Sequence, residues 1–576
     1  MYAKKLGLPL TIIACICTLG AFAADREIEI EGKYLNFPVK NDAEEVLISF
    51  NVEDEKMREF TINLAPGKPD YWIYLEVKDF VGKRGELVTG EISKNQLEGF
   101  KAIYNDDTFP GEEALYKEKL RPQFHFSSKR GWINDPNGLV YYKGEYHLFY
   151  QHNPFGWNWG NMTWGHAIST DLVHWVEQGD KLHADEMGTM FSGGGVVDWN
   201  NTTSFQTGDD PPLVGLYTSA GGESAWSEGE PFTQSITYSN DRGRTWTKYE
   251  GNPVLPNIEP INRDPKAIWH EPTNQWVIAL HFERGATAFF TSKDLKKWDF
   301  QSEMKSDSMR DCPELFQLAV DGDPDNKRWV IYGGSGHYYL GEFDGKGFNP
   351  ETGPTRFNYG NCFFASQTFS DVPESDGRRV QIAWGTVSMP DMPFNQQMTF
   401  PVELTLHTTD DGLRIFAYPV EEVRNIHGKE HKWSDEQLEP GENPLEKVKG
   451  NLFDIDTEIE LGDADEVGFE INGFPVAYMA RENLLIGGTG EEGGRGFGQG
   501  ETKAELGPID GKISLRILVD RSSVEIFANK GRIYMPMQAN RDLSNESLKF
   551  YAKGGTAHIK ELTVHEMNSI WNTAGN

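Results

Sequence analysis

Cysteine is scarce in this 576-residue chain: there are four, and two of them, Cys15 and Cys17, lie in an apolar N-terminal stretch. The remaining pair, Cys312 and Cys362, allows one disulfide at most and is no disulfide framework. Basic charge is also short. Fifty-five Lys and Arg stand against 88 Asp and Glu, a net charge of −33, which argues against a nucleic-acid partner because such binding rewards phosphate neutralisation. Beyond the N-terminus no apolar run is long enough to span a membrane. His152, His166 and His270 lack the spacing of metal ligands, and neither a metal nor a cofactor is expected.

The N-terminus reads as a processing segment. In "MYAKKLGLPLTIIACICTLGAFAADRE", Lys4 and Lys5 precede an apolar stretch that ends in Ala21, Ala23 and Ala24. This predicts a signal peptide over 1–23 and a secreted, periplasmic or cell-surface protein. "IIAC" ending at Cys15 resembles a lipoprotein box, so a lipid anchor is the secondary reading.

At this length two or three domains are expected, and 38% hydrophobic residues with 12% aromatics can fill their cores. Sixty glycines and thirty prolines, scattered along the chain, point to many turns between short strands. Residues 24–115 read as a small accessory β-sandwich, with alternating strands such as "EEVLISFNVED" and "DYWIYLEV"; sugar binding is a secondary guess there. Residues 116–408 carry a degenerate repeat, in which a polar turn is followed by a β-branched or aromatic strand. The five copies are "KGEYHLFYQH", "DDPPLVGLYTSA", "TNQWVIALHF", "DNKRWVIYGGSG" and "DGRRVQIAWGTV". Three copies are followed by an S-x-D segment leading to tryptophan: "STDLVHW", "SNDRGRTW" and "SKDLKKW". Such recurrence predicts a five-bladed β-propeller. Residues 409–576 revert to plain alternation and predict a C-terminal β-sandwich, with a hairpin turn at Asn529-Lys530-Gly531. The fold class is therefore all-β.

Just upstream of the repeated strands lie "WINDPNG", "TMFSGGG", "NRDPKAIW", "RDCPELF" and "CFFASQTF". The first strand of each propeller blade lines the central axis. Asp135, Asp264 and an acid within 311–314 can therefore meet in one funnel although they are remote in sequence. Taken singly, each stretch has a plainer reading. Asn-Asp-Pro-Asn-Gly is good turn chemistry, Arg263-Asp264 suits a buried ion pair, and glycines 193–195 suit close packing.

Together these motifs resemble the fructan-hydrolysing glycoside hydrolases of family 32: invertases, inulinases, levanases and exo-β-fructosidases. The likeness rests on "WINDPNG", "QHNPFGWNWGNMTWGH", "FSGG", "RDP", the Cys-Pro acidic motif and "DRSSVEIF", and it covers roughly residues 120 to 570. It implies a propeller followed by a sandwich and a retaining hydrolase of β-fructosyl linkages in fructan, fructo-oligosaccharide or sucrose, with exo action and release of fructose expected. In that scheme Asp135 is the nucleophile, and Asp264, flanked by Arg263, stabilises the transition state. Asn134, Gln151, Trp159, Phe191, Ser192 and Arg263 match positions that hold the terminal fructose, and Trp159 and Trp384 are candidates to wall the sugar. "DRSSVEIF" is a family marker whose expected role is domain packing.

The general acid departs from the family pattern. The usual order is Glu-Cys-Pro-Asp, whereas this chain reads Asp311-Cys312-Pro313-Glu314. Alignment on Cys-Pro puts Asp311 in the catalytic slot. Strand alternation points Asp311 and Glu314 to opposite faces, so Glu314 takes the role only if Pro313 marks a bulge or a strand end. Two alternatives stand beside the fructosidase reading: an inverting arabinan- or xylan-type propeller hydrolase, and a non-catalytic fructan-binding protein.

Overall fold

A computed structural model describes residues 22–490, 500–539 and 541–571. The signal-peptide features at Lys4, Lys5, Cys15, Cys17 and Ala21 lie outside them. The chain forms two compact units, residues 1–110 and 111–576.

The first unit is built from two antiparallel sheets. One has four strands, in the order Phe22–Glu29, Arg84–Ile92, Glu45–Val52 and Glu55–Asn63; the other has three, Tyr71–Glu76, Tyr34–Val39 and Tyr104–Asp106. Alternation carries the packing. Val46, Ile48, Phe50 and Val52 are buried along one strand, and Leu35, Phe37 and Val39 along another. The α-helix Lys94–Lys101 starts at a capping box in which Ser93 and Gln96 satisfy each other's backbone donors.

The second unit begins with five blades, the fourth and fifth of which join in one nine-stranded sheet. Their innermost elements are, in order, Gly131–Tyr142; the pair Thr189–Phe191 and Gly195–Val197; Asn262–His270; Glu314–Val320; and Phe364–Thr368. Inner strands touch in turn from the first blade to the fourth, the fourth meets strand Val402–Thr409 of the fifth blade, and the fifth inner strand touches the first, which closes a ring. The five repeated sequences form the second strand of each blade: Glu145–Asn153, Leu213–Ala220, Gln275–Phe282, Asp323–Gly333 and Arg379–Gly385. The S-x-D echo has one local cause. The serine hydroxyl donates to the aspartate in Ser169–Asp171, Ser239–Asp241 and Ser292–Asp294. Each tryptophan indole then donates back to the carbonyl three residues earlier, Trp175 to Leu172, Trp246 to Gly243 and Trp298 to Leu295, at 3.0–3.1 Å. The expected propeller boundary at 408 falls inside a hairpin, because Val402–Thr409 pairs with Gly412–Pro419 within the fifth blade.

A six-stranded and a five-stranded sheet follow and form the sandwich. Strands Lys512–Val519, Ser523–Ala528 and Ile533–Gln538 run consecutively, and the turn between the last two holds Asn529, Lys530 and Gly531 at positive φ. The segment "DRSSVEIF" is a polar clamp between propeller and sandwich. The Asp520 carboxylate accepts from the backbone N–H groups of Gln123, Phe124 and His125, and His125 Nδ1 lies 2.8 Å from it. On the other side of the ring, His125 Nε2 lies 3.0 Å from Glu525 Oε1, which also accepts from the Phe400 N–H. Burial opposes protonation of His125, but its bonds to Asp520 and Glu525 outweigh that penalty and hold the ring's pKa up at about 9. Burial likewise penalises the Asp520 charge, yet the bonds from His125 and the backbone hold its carboxyl below the usual range.

Candidate active site

The Asn-Asp-Pro-Asn-Gly turn chemistry does not end the first inner strand; it bends it. Between Ile133 and Pro136 the pairing with the neighbouring strand slips by one residue, a bulge that turns Asp135 toward the axis. The Trp132 indole donates to Asn134 Oδ1 at 2.9 Å, and Asn134 Nδ2 donates to Asp135 Oδ1 at 3.0 Å. Ser192 Oγ donates to Asp135 Oδ2 at 2.6 Å. The backbone beside Ser192 packs tightly on the next strand of its own blade: a Cβ on Gly193 would lie 1.9 Å from the Leu216 carbonyl oxygen.

Asp264 sits on a second bulge, between Arg263 and Lys266, with φ of +62°. Its N–H donates to Thr218 Oγ1 at 3.0 Å, and Oδ2 accepts from the Cys312 N–H at 3.1 Å. Asp311 and Cys312 also have positive φ, +54° and +39°, and the fourth inner strand starts only at Glu314. Two of the three acids are thus held in a backbone region that non-glycine residues seldom adopt, a form of strain that clusters at functional sites. The Cys312 sulfur lies 3.5 Å from Asp135 Oδ2 and 3.7 Å from Asp264 Oδ2, so the first and third blades deliver their carboxylates to the same point.

Arg263 ties the group together. Its guanidinium donates to Asp311 Oδ1 and, at 2.5 Å, to Glu283 Oε2, while its Nε lies 3.7 Å from Asp264 Oδ2. His281 Nε2 is 3.8 Å from Asp311, and burial holds that imidazole below its ordinary pKa. Burial raises the Asp135 carboxyl, opposed by the bonds from Ser192 and Asn134 and reinforced by the Asp311 charge. Asp264 is pushed up to about 7, first by burial and then by the neighbouring Asp311 and Asp135 charges, against the pull of Arg263.

One cavity of about 100 Å³ is lined by all three acids, by Arg263, and by Asn134, Gln151, Trp159, Phe191 and Ser192. Among the described residues Gln151 Nε2 is buried there without a hydrogen-bond partner, a donor available to whatever fills the space. Trp159 is half exposed at the rim and stands edge-to-face against Phe191, with ring centroids 5.8 Å apart.

Glu314 and Trp384 do not line the cavity. Glu314 is buried among the inner strands of the third and fifth blades. There it accepts from the Thr368 N–H at 2.9 Å and from the Thr368 hydroxyl at 2.6 Å, with Lys266 Nζ 3.4 Å away. Trp384 is the cross-strand partner of Phe364 and stands edge-on to it and to Trp132. Phe364 is the lining residue that sequence reasoning missed. It occurs in "CFFASQTF", but three apolar residues in a row give no alternation to show which one faces the axis. Cys312 and His281 were likewise given no site role. Trp164 is buried in the core and donates to the Phe191 carbonyl. The three singled-out histidines have local contacts: His152 with Asp180 and the Arg130 carbonyl, His166 with His147, and His270 with Thr273.

Comparison with known proteins agrees with this geometry. The chain is 41% identical over 498 residues to a levanase of Bacillus subtilis (strain 168), an alignment that covers 80% of this chain and 72% of that one. It is 31% identical over 522 residues to the extracellular exo-inulinase inuE of Aspergillus ficuum, covering 79% and 96%. The crystal structure of exo-inulinase from Aspergillus awamori superposes with a TM-score of 0.71 at 29% identity, covering 79% of this chain and all of that one. Residues 125–419 match the glycosyl hydrolases family 32 N-terminal domain, and residues 420–566 match the family's C-terminal domain. The protein is therefore a glycoside hydrolase, and it belongs to glycosyl hydrolase family 32.

Proposed function

We propose that the protein is a secreted, retaining β-fructosidase that removes terminal fructose from fructan chains. The observation that carries this reading is the meeting of Asp135, Asp264 and Asp311, from three separate blade elements, around one small cavity beside Arg263. Family membership sets aside the arabinan- and xylan-type alternative.

In the proposed reaction the Asp135 carboxylate attacks the anomeric carbon of the terminal fructosyl unit. Asp311 gives its proton to the glycosidic oxygen as that bond breaks, so the leaving chain departs as a neutral alcohol. The fructosyl unit is then esterified to Asp135. Asp311, now ionised, takes a proton from water as the water oxygen attacks the same carbon, which frees fructose with its original configuration and restores both carboxyls. Asp264 accepts hydrogen bonds from fructose hydroxyls, and these strengthen as positive charge develops on the ring. Asn134 and Ser192 hold the nucleophile still, and Gln151 supplies a free donor to the sugar. This assignment of the acid to Asp311 is supported by its place on the cavity wall and by the structural bonding of Glu314. Secretion is supported by the N-terminal processing pattern; among the described residues no helix is long and apolar enough to cross a membrane.

Incubation with levan and inulin tests the reading. Free fructose as the sole early product, released first as the β-anomer by NMR, is the expected result. A ladder of oligomers refutes exo action, and initial release of the α-anomer refutes retention.

A further inference from the structure

We propose that the leaving end of the substrate is a chain of at least two sugar units and that Arg310 binds it; this deepens the fructan reading above and rests on it. The general acid must touch the glycosidic oxygen, which belongs to the leaving unit, so that unit lies against the Asp311 wall. Two further cavities, each about 580 Å³, open beside that wall. One shares Arg263 and Asp311 with the active site, the other shares Phe364, and the two meet at Asp307 and Arg310. Their combined size far exceeds the space a terminal fructose receives.

The chemistry of this groove fits a polyhydroxyl ligand. Serine, histidine and asparagine side chains line it, with Phe364 offering an aromatic face at the junction with the site. Nearby arginines are already engaged: Arg284 pairs with Glu259 and Glu303, and Arg356 donates to the Asn358 carbonyl. Arg310 is different. It is exposed, it lines both cavities, and its guanidinium makes no hydrogen bond or ion pair among the described residues. Its five N–H donors are therefore available to ring and exocyclic hydroxyls of the leaving chain. Its position immediately before Asp311 places that binding next to the proton transfer.

The test compares a fructan tetrasaccharide with methyl β-fructofuranoside, whose leaving group is too small to enter the groove. For Arg310→Ala and Arg310→Gln, the ratio of kcat/KM on the tetrasaccharide to kcat/KM on the methyl glycoside is expected to fall by about tenfold to a hundredfold, the size of a hydrogen bond to a charged donor. Because the ratio is taken within one preparation, partial misfolding cancels. An unchanged ratio in both variants overturns the assignment of Arg310 while leaving the fructosidase reading intact. Failure of the unaltered protein to turn over either substrate overturns both.

Discussion

Exchanging the acids of the Asp311-Cys312-Pro313-Glu314 segment one at a time should produce opposite phenotypes. Asp311→Asn keeps the shape of the side chain but removes its transferable proton. Loss of a general acid costs about 10²–10⁴ in rate, or about 3–5 kcal/mol of barrier. Asn also lacks the charge by which an ionised Asp311 raises the carboxyls of Asp135 and Asp264, so the substitution does not push the nucleophile toward its protonated form. The lost rate cannot then be blamed on a protonated Asp135. Stability should barely move. Asp311 is partly exposed, and Arg263 retains Glu283 and Asp264, so the change stays within about 1 kcal/mol. Glu314→Gln reverses the pattern. It leaves buried Lys266 without its counter-charge and turns an amide donor toward the Thr368 donors, an arrangement that costs about 3–5 kcal/mol of stability. Its kcat in the folded protein should fall far less than the general-acid range. Steady-state kinetics on fructan and on a β-fructoside with a phenolate leaving group, together with denaturant unfolding, read both effects. The Asp311→Asn loss should shrink on the phenolate, which departs without a proton. A folded Glu314→Gln protein that is crippled, beside an active Asp311→Asn protein, refutes the reasoning.

Two further outcomes follow from the hydrogen bonds. Ser192→Ala removes the 2.6 Å bond that holds the Asp135 carboxyl down, so its pKa should rise further and the acid limb of the kcat/KM–pH profile should move to higher pH; an unmoved limb contradicts the role given to that bond. At the propeller–sandwich clamp, the folded His125 pKa of about 9 exceeds the ordinary 6.5, so its stabilisation is complete below pH 6.5 and is lost as pH rises through about 9, amounting to about 3 kcal/mol. Asp520 has the opposite sense, its contribution being present above the ordinary carboxylate value and lost as pH falls below it. Unfolding measured across this range should show the alkaline slope in the parent protein and not in His125→Gln.

The propeller was legible because its signals are local and repeated. A second strand between polar turns and an S-x-D segment bonded to its own tryptophan need no distant partner, and both recur at blade spacing. Most of the site was legible for a related reason: Asp135 and Asp264 sit on bulges in inner strands and Asp311 just before one, where turn-forming residues interrupt the alternation. What could not be read depends on contacts made across the axis. The role of Glu314 is set by Lys266 and Thr368, on two other blades. The choice between Asp311 and Glu314 was argued from strand alternation, but the backbone at Asp311 and Cys312 is left-handed and the strand begins only at Glu314. Trp384 was expected to wall the sugar, whereas Phe364 is the ring that lines the cavity, with Trp384 edge-on to it. The boundary at 408 missed the last hairpin because a blade's outer strands and a sandwich strand share the same plain alternation.

The most direct measurement is the mass and location of a covalent intermediate. Asp311→Asn protein, mixed with a β-fructoside bearing a phenolate leaving group and then quenched and digested, should carry one fructosyl unit on the peptide that contains Asp135. A fructosyl unit on any other carboxylate, or a pre-steady-state burst of phenolate with no labelled Asp135, would contradict the account.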